Sequence, residues 1–141
     1  MSSRSYALDN IIGWVVSEDM WSVAFEDRFF AETAEFADQV RTEIAALAAL
    51  LAEFGPSLKR PHCDTLNGSK YANMKELRFK AADGVWRLAF AFDPERTAIL
   101  LVAGDKSGVN EKRFYKTLIA TADERFDDHL SSLADRKGGR P

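Results

Sequence analysis

Three stretches decide the fold: NMKELRF (Asn73–Phe79), VWRLAFAF (Val85–Phe92) and TAILLVA (Thr97–Ala103). Each is rich in aromatic and branched aliphatic residues, as strands are. Asp83-Gly84 punctuates the first gap and Asp93-Pro94 the second. A parallel return would need a crossover of a dozen residues or more, and neither gap has room for one. The three stretches therefore read as an antiparallel meander. In the middle strand Trp86, Leu88, Phe90 and Phe92 share one face, and Val85, Arg87, Ala89 and Ala91 the other. In the strand before it, Leu77 and Phe79 oppose Met74, Glu76 and Arg78.

Register follows from burial, because a slip by one residue would invert every side chain. Setting Leu77 and Phe79 beside Trp86 and Leu88 builds one apolar face against helices. A bulge at Gly84 is expected to supply the offset. Glu76, Arg78 and Arg87 then meet on the opposite face, away from the main core. On an open face such a group would be an ordinary cross-strand ion pair, worth about 0.2–1 kcal/mol. A second use is a cationic site for a polyanion.

Outward from the meander, Met20 to Phe25 reads as a short strand with Trp21, Val23 and Phe25 on one side. Phe29, Phe36, Val40, Ile44, Leu47 and Leu51 follow at helical intervals, with Thr33 interrupting the stripe. A break between Thr33 and Asp38 would make a helical hairpin, although no Gly or Pro marks it. Gly55-Pro56 is a stop signal. Lys59 to Tyr71 reads as loop, with turn chemistry at Asn67-Gly68-Ser69. A last helix is predicted from about Glu111 to Leu133, burying Phe114, Leu118, Ala122, Phe126, Leu130 and Leu133. The fold class is α+β: N-terminal strand, helical hairpin, antiparallel meander and C-terminal helix. The expected organisation is an N-terminal extension over 1–19, one domain over 20–135, and a flexible tail over 136–141.

The chain has 141 residues, 46% of them hydrophobic and 29% charged, with a net charge of −3. That suits one soluble globular domain and excludes collagen or wholesale disorder. Cys63 is the only cysteine, which excludes a disulfide scaffold. The apolar runs are too short to span a bilayer and the N-terminus lacks a signal-peptide pattern, so a cytoplasmic protein is expected. The net charge hides an asymmetry. Residues 1–54 hold three Lys/Arg and ten Asp/Glu, whereas Lys59 to Lys116 holds twelve against seven. Such segregation points to a polyanion on one half.

Other chemistries find little support. Gly104-Asp105-Lys106-Ser107-Gly108 lacks the glycine spacing and Gly-Lys pair of a phosphate loop, and no dinucleotide fingerprint occurs. His62 and Cys63 have no second Cys/His pair, so neither a metal nor any other cofactor is expected. Nothing in the sequence positions a base for a Cys63 nucleophile. His129 reads as structural. Lys106, Lys112, Arg113 and Lys116 lie near the meander by sequence, interleaved with Phe114 and Tyr115, a combination suited to a phosphate backbone and an unstacked base. Lys75 shares a strand with Arg78 but points to its other face.

Several segments occur together in a known order: Gly55-Pro56-Ser57-Leu58, Asp64-Thr65-Leu66, Gly68-Ser69-Lys70, Asn73 to Arg78, Trp86-Arg87, Phe90 to Pro94, Gly104-Asp105-Lys106 and Ala122 to Phe126. The chain resembles the phage-derived branch of the RelE/HigB toxins of bacterial type II toxin–antitoxin systems, over about residues 20–133. The resemblance implies two N-terminal helices packed on an antiparallel sheet. It implies an mRNA endoribonuclease acting on the ribosome and neutralised by a cognate antitoxin, commonly a HigA-like helix-turn-helix protein. By motif position Arg78 and Arg87 match the family's active-site arginines. Tyr115 resembles the tyrosine after the last strand, and Lys106 or Arg113 a nearby cation. Glu76 stands where RelE itself has a lysine-rich strand.

Cleavage by attack of the 2′-hydroxyl needs a base, cations for the added negative charge and an acid for the leaving oxygen, with no metal required. Glu76 is the candidate base. Arg78, Arg87 and Lys106 are candidate phosphate stabilisers, and Tyr115 a stacking or acid group. Lys75, Lys112, Arg113 and Lys116 are candidate RNA contacts. Because Arg87 is expected off the core, Arg87→Ala should leave the fold intact. The alternatives are a ParE-like toxin that inhibits a topoisomerase without cutting RNA, and an inactive antitoxin-binding relative.

Overall fold

A computed structural model describes residues 20–138; the extension predicted over 1–19 and the last three residues lie outside the described residues. A five-stranded mixed sheet carries helices on both faces. Its strands are β1 (Ser22–Phe25), β2 (Cys63–Thr65), β3 (Lys75–Ala81), β4 (Gly84–Phe92) and β5 (Thr97–Asp105), in spatial order β1-β5-β4-β3-β2. The helices are α1 (Asp27–Thr33), α2 (Asp38–Phe54) and α3 (Glu111–Gly138), with a 3-10 turn at Gly55–Ser57. β1 runs parallel to β5 and the other neighbours are antiparallel. The predicted meander is present. β2 lies inside the stretch read as loop; three residues are too few to show a period.

The hairpin break has a side-chain cause. Glu26 caps α1, accepting from the Phe29 N–H at 2.9 Å. At the other end Arg41 Nη1 donates to the carbonyls of Phe36 (2.5 Å) and Thr33 (3.3 Å), binding the segment that follows α1 to the first turn of α2. One arginine does the work of a Gly or Pro. Gly55 ends α2 with φ +55°, and a Cβ there would fall 2.4 Å from the Trp21 indole nitrogen.

Large residues fill one face of the sheet, as expected: Leu77, Phe79, Leu88, Phe90 and Leu100 pack against Val40, Ile44, Leu47 and Leu51 of α2. The other face is not open. Met74, Ala89, Ala91, Ile99 and Leu101 pack against Leu118, Ala122 and Phe126 of α3. The alanines let the helix approach closely, so small residues here mark a second core rather than a solvated surface. The face expected to lie off the core is therefore half covered.

The offset expected at Gly84 is absent. Ala82 and Asp83, both at positive φ, form a two-residue hairpin loop that pairs Ala81 with Gly84 in regular register. The register shift lies between β4 and β5, where Ala89 pairs Val102 but Phe90 pairs Leu100. Leu101 is the extra residue. Ala98 and Leu100 face α2, while Ile99, Leu101 and Val102 all face α3. This bulge brings Gly104, the partner of Arg87, onto the α3 face.

Candidate functional site: a buried carboxylate between two arginines

Arg78 and Arg87 are direct cross-strand partners on β3 and β4, and Glu76 precedes Arg78 by one full strand period. Like charges opposite one another repel; here a carboxylate divides them. Glu76 Oε2 accepts from Arg78 Nη1 at 3.0 Å, and Glu76 Oε1 lies 3.8 Å from Arg87 Nε. Helix α3 supplies the fourth member. Tyr115 donates its hydroxyl to Glu76 Oε1 at 2.9 Å and accepts from Arg87 Nε at 3.1 Å. Arg87 Nη1 also donates to the Trp86 carbonyl at 2.9 Å.

Burial divides the group. Glu76 is 4% exposed and Arg87 6%, whereas the Arg78 side chain is 29% exposed. The two guanidinium groups thus share a side, but only Arg78 offers itself freely to a ligand. Burial raises the Tyr115 pKa above the ordinary phenol value. The Glu76 hydrogen bond and charge raise it further, against an opposing pull from Arg87. At neutral pH Tyr115 is a protonated phenol.

The remaining predicted cations do not form one cluster. Lys106 follows β5 and pairs with Glu111 at 3.0 Å. Glu111, which sequence reading passed over, carries a lowered pKa. The Lys106 hydrogen bond is the main cause, and the charges of Arg87 and Arg78 also contribute. Its side chain is 70% exposed at the rim of the group. The signal is an acidic residue opening a helix immediately before Lys112 and Arg113. Lys112 and Lys116 are exposed; Lys112 lies about one turn before Tyr115 on α3, and Lys116 follows it directly in sequence. Arg113 is exposed on the flank of α3 that faces β5, not β3. Lys75 alternates onto the α2 face, across the sheet from Glu76.

Gly104-Asp105-Lys106-Ser107 is the closing turn of β5: Asp105 Oδ1 accepts from the backbone N–H groups of Val85 and Ser107. His129 is structural, as expected, with Nε2 2.8 Å from buried Asp93 Oδ2 and its ring stacked on Phe126. Cys63 is buried and its thiol pKa is raised by desolvation, so it is no nucleophile. Among the described residues no group of three or more His, Cys, Asp and Glu side chains could hold a metal ion. No helix among them is long and apolar enough to cross a membrane.

Residues 31–127 match the family described as Phage derived protein Gp49-like (DUF891). This chain belongs to the Gp49-like family of HigB-type toxins. Two Mycobacterium tuberculosis (strain ATCC 25618 / H37Rv) proteins named as toxins are similar to it. HigB2 is 37% identical over 139 residues, 98% of this chain and 65% of HigB2, so the chain spans just under two thirds of that relative. HigB3 is 51% identical over 83 residues, 59% of this chain and 70% of HigB3. Among solved structures, a free-state double mutant of E. coli toxin RelE superposes with a TM-score of 0.53 at 14% identity, covering 72% of this chain and 95% of RelE. At that identity the likeness concerns the fold: the Gp49-like chain has a RelE-type α+β fold, as its sequence suggested.

Proposed function

We propose that this Gp49-like protein is the toxin of a type II toxin–antitoxin pair and an mRNA endoribonuclease acting in the cytoplasm on ribosome-bound message. Its cognate antitoxin is a HigA-like helix-turn-helix protein. One observation carries the reading: two arginines face each other across β3 and β4 with a carboxylate between them and a phenol bonded to the carboxylate and to Arg87.

Each role in 2′-hydroxyl attack then has a side chain. Arg78, the accessible guanidinium, binds the scissile phosphate, and Lys106 adds charge at the rim. Glu76 takes the 2′ proton as the oxygen attacks phosphorus. Arg87 holds Glu76 in place, directly and through the Tyr115 hydroxyl. Tyr115, protonated at neutral pH, gives its proton to the departing 5′ oxygen. The Tyr115–Glu76 hydrogen bond then returns the captured proton to the phenol, which resets the pair. The products are a 2′,3′-cyclic phosphate and a free 5′-hydroxyl. Lys112 and Lys116, beside Tyr115, contact the strand further along. These steps use side chains alone, so cleavage is expected to persist in chelator.

The test is primer extension on a translated mRNA, with chelator present, using the wild type and Arg78→Ala. Cuts that appear with the wild type and fall 10²–10³-fold in the variant support the reading, that being about the loss expected for one transition-state charge donor. Growth inhibition without cuts would instead favour a topoisomerase-directed, ParE-like action.

A further inference from the structure

We propose that a slot between β5 and α3 holds the base next to the cleaved phosphate and selects guanine. This rests on the endoribonuclease reading and adds a specificity site to it. The slot has a volume of about 290 Å³ and is lined by Val102, Gly104, Val109, Arg113, Phe114 and Thr117. That is near the lower end of small-ligand sites, about 300 Å³, and suits a single nucleoside.

Its position ties it to the reacting group. Gly104 is the direct cross-strand partner of Arg87. Phe114 contacts Tyr115, their ring centroids 5.3 Å apart. The slot therefore opens one strand spacing, about 4.8 Å, from the arginine behind the scissile phosphate. A neighbouring nucleotide would reach it without the chain having to span the protein.

The slot is also kept open. A Cβ at position 104 would come 3.0 Å from Phe114 Cε1, so any side chain there would crowd the ring that forms the wall. The Leu101 bulge aims this glycine at α3. Val109 stands 45% exposed at the mouth, one of three large hydrophobic side chains so exposed among the described residues. An exposed aliphatic group beside an aromatic wall suits the flat face of a base.

Arg113 sets the preference. It is exposed beside the slot, and among the described residues no side-chain hydrogen bond or ion pair engages its guanidinium; Asn110 bonds its backbone N–H. A guanidinium only donates hydrogen bonds. Guanine offers it two acceptors in line, O6 and N7, the geometry arginine reads best.

The experiment maps cut sites of the full chain on translated mRNAs that carry each of the four bases beside a fixed cut position. The wild type should prefer guanine there. Arg113→Ala should lose that preference by roughly 5- to 150-fold, the range for one bidentate base contact. Thr117→Phe, which fills the mouth from an exposed helix position, should flatten it too. Arg113→Ala, on an exposed side chain, carries the test even if Thr117→Phe does not fold. A wild type that cuts, with guanine preference unchanged in Arg113→Ala, overturns the slot and leaves the endoribonuclease standing. Unchanged preference with weakened antitoxin binding would assign the slot to a partner peptide and overturn it equally. A wild type that never cuts removes both proposals.

Discussion

The Tyr115 hydroxyl lies 2.9 Å from Glu76 Oε1 and joins α3 to the start of β3, across 39 residues of chain. Tyr115→Phe removes one oxygen and keeps the ring. It takes from Glu76 Oε1 and Arg87 Nε the hydroxyl that bridges them and leaves only their 3.8 Å ion pair in a buried place, a loss of about 1–3 kcal/mol. RNA cleavage should drop about 10²-fold or more if the phenol is the proton donor. Urea unfolding combined with a cleavage assay checks both. A variant that cleaves normally while losing the stated stability would confine Tyr115 to a structural part.

Arg78 and Arg87 look equivalent in sequence and are not equivalent in the fold. Arg78→Ala removes a partly exposed group and should cost at most about 1 kcal/mol in stability. Arg87→Ala empties a buried site and removes the donor to the Tyr115 hydroxyl, while Glu76 keeps Arg78 and Tyr115, so it should cost about 1–3 kcal/mol. The expectation that Arg87→Ala spares the fold is thus reversed. Thermal melts of the two variants should separate clearly, with Arg87→Ala the lower. Equal melting points would mean that Arg78 and Tyr115 alone hold Glu76 and that the buried Arg87 adds nothing to stability.

That reversal shows what the sequence carried and what it did not. Alternation in VWRLAFAF placed Arg87 opposite the large apolar residues, and the register put it across from Arg78. Alternation gives a face, however, not what covers it. The small size of Ala89 and Ala91 does not mark an open surface: it is what admits Leu118, Ala122 and Phe126. The Leu101 bulge was illegible for a related reason. Ile99, Leu100, Leu101 and Val102 are all apolar, so a one-residue slip in parity leaves no mark in the pattern. Gly84 carried turn chemistry, yet the turn itself is made by Ala82 and Asp83. Tyr115 could be linked to the site by resemblance; its partners could not be read, since they depend on how α3 crosses the sheet.

Glu111 offsets the charge of Lys106 at the rim of the site, 3.0 Å away. If RNA is the ligand, this carboxylate competes with phosphate for Lys106 and Arg78. Glu111→Gln should tighten binding of a short single-stranded RNA. It should also steepen the dependence of log K on log salt by about 0.7, the increment for one more phosphate contact on a single strand. Fluorescence anisotropy between low and moderate salt measures both. An unchanged slope would place the phosphates away from Lys106.

Asp93 and His129 fasten the β4–β5 turn to α3. Burial pushes the Asp93 pKa up, but the His129 hydrogen bond and the backbone N–H groups of Thr97 and Glu95 outweigh it and leave the net shift downward. A carboxylate with a depressed native pKa stabilises the fold above its unfolded value of about 3.9, and that contribution fades as pH falls through the native value. Asp93→Asn removes the charge while keeping the shape. It should cost about 1–3 kcal/mol at pH 7, where the charged acceptor holds three donors. The gap between variant and wild type should narrow as pH falls below the unfolded value of about 3.9 and through the lower native value of Asp93. Urea midpoints at pH 7 and pH 3 decide the matter: a gap that stays constant would mean that the Asp93 charge contributes nothing and that shape alone holds the turn to the helix.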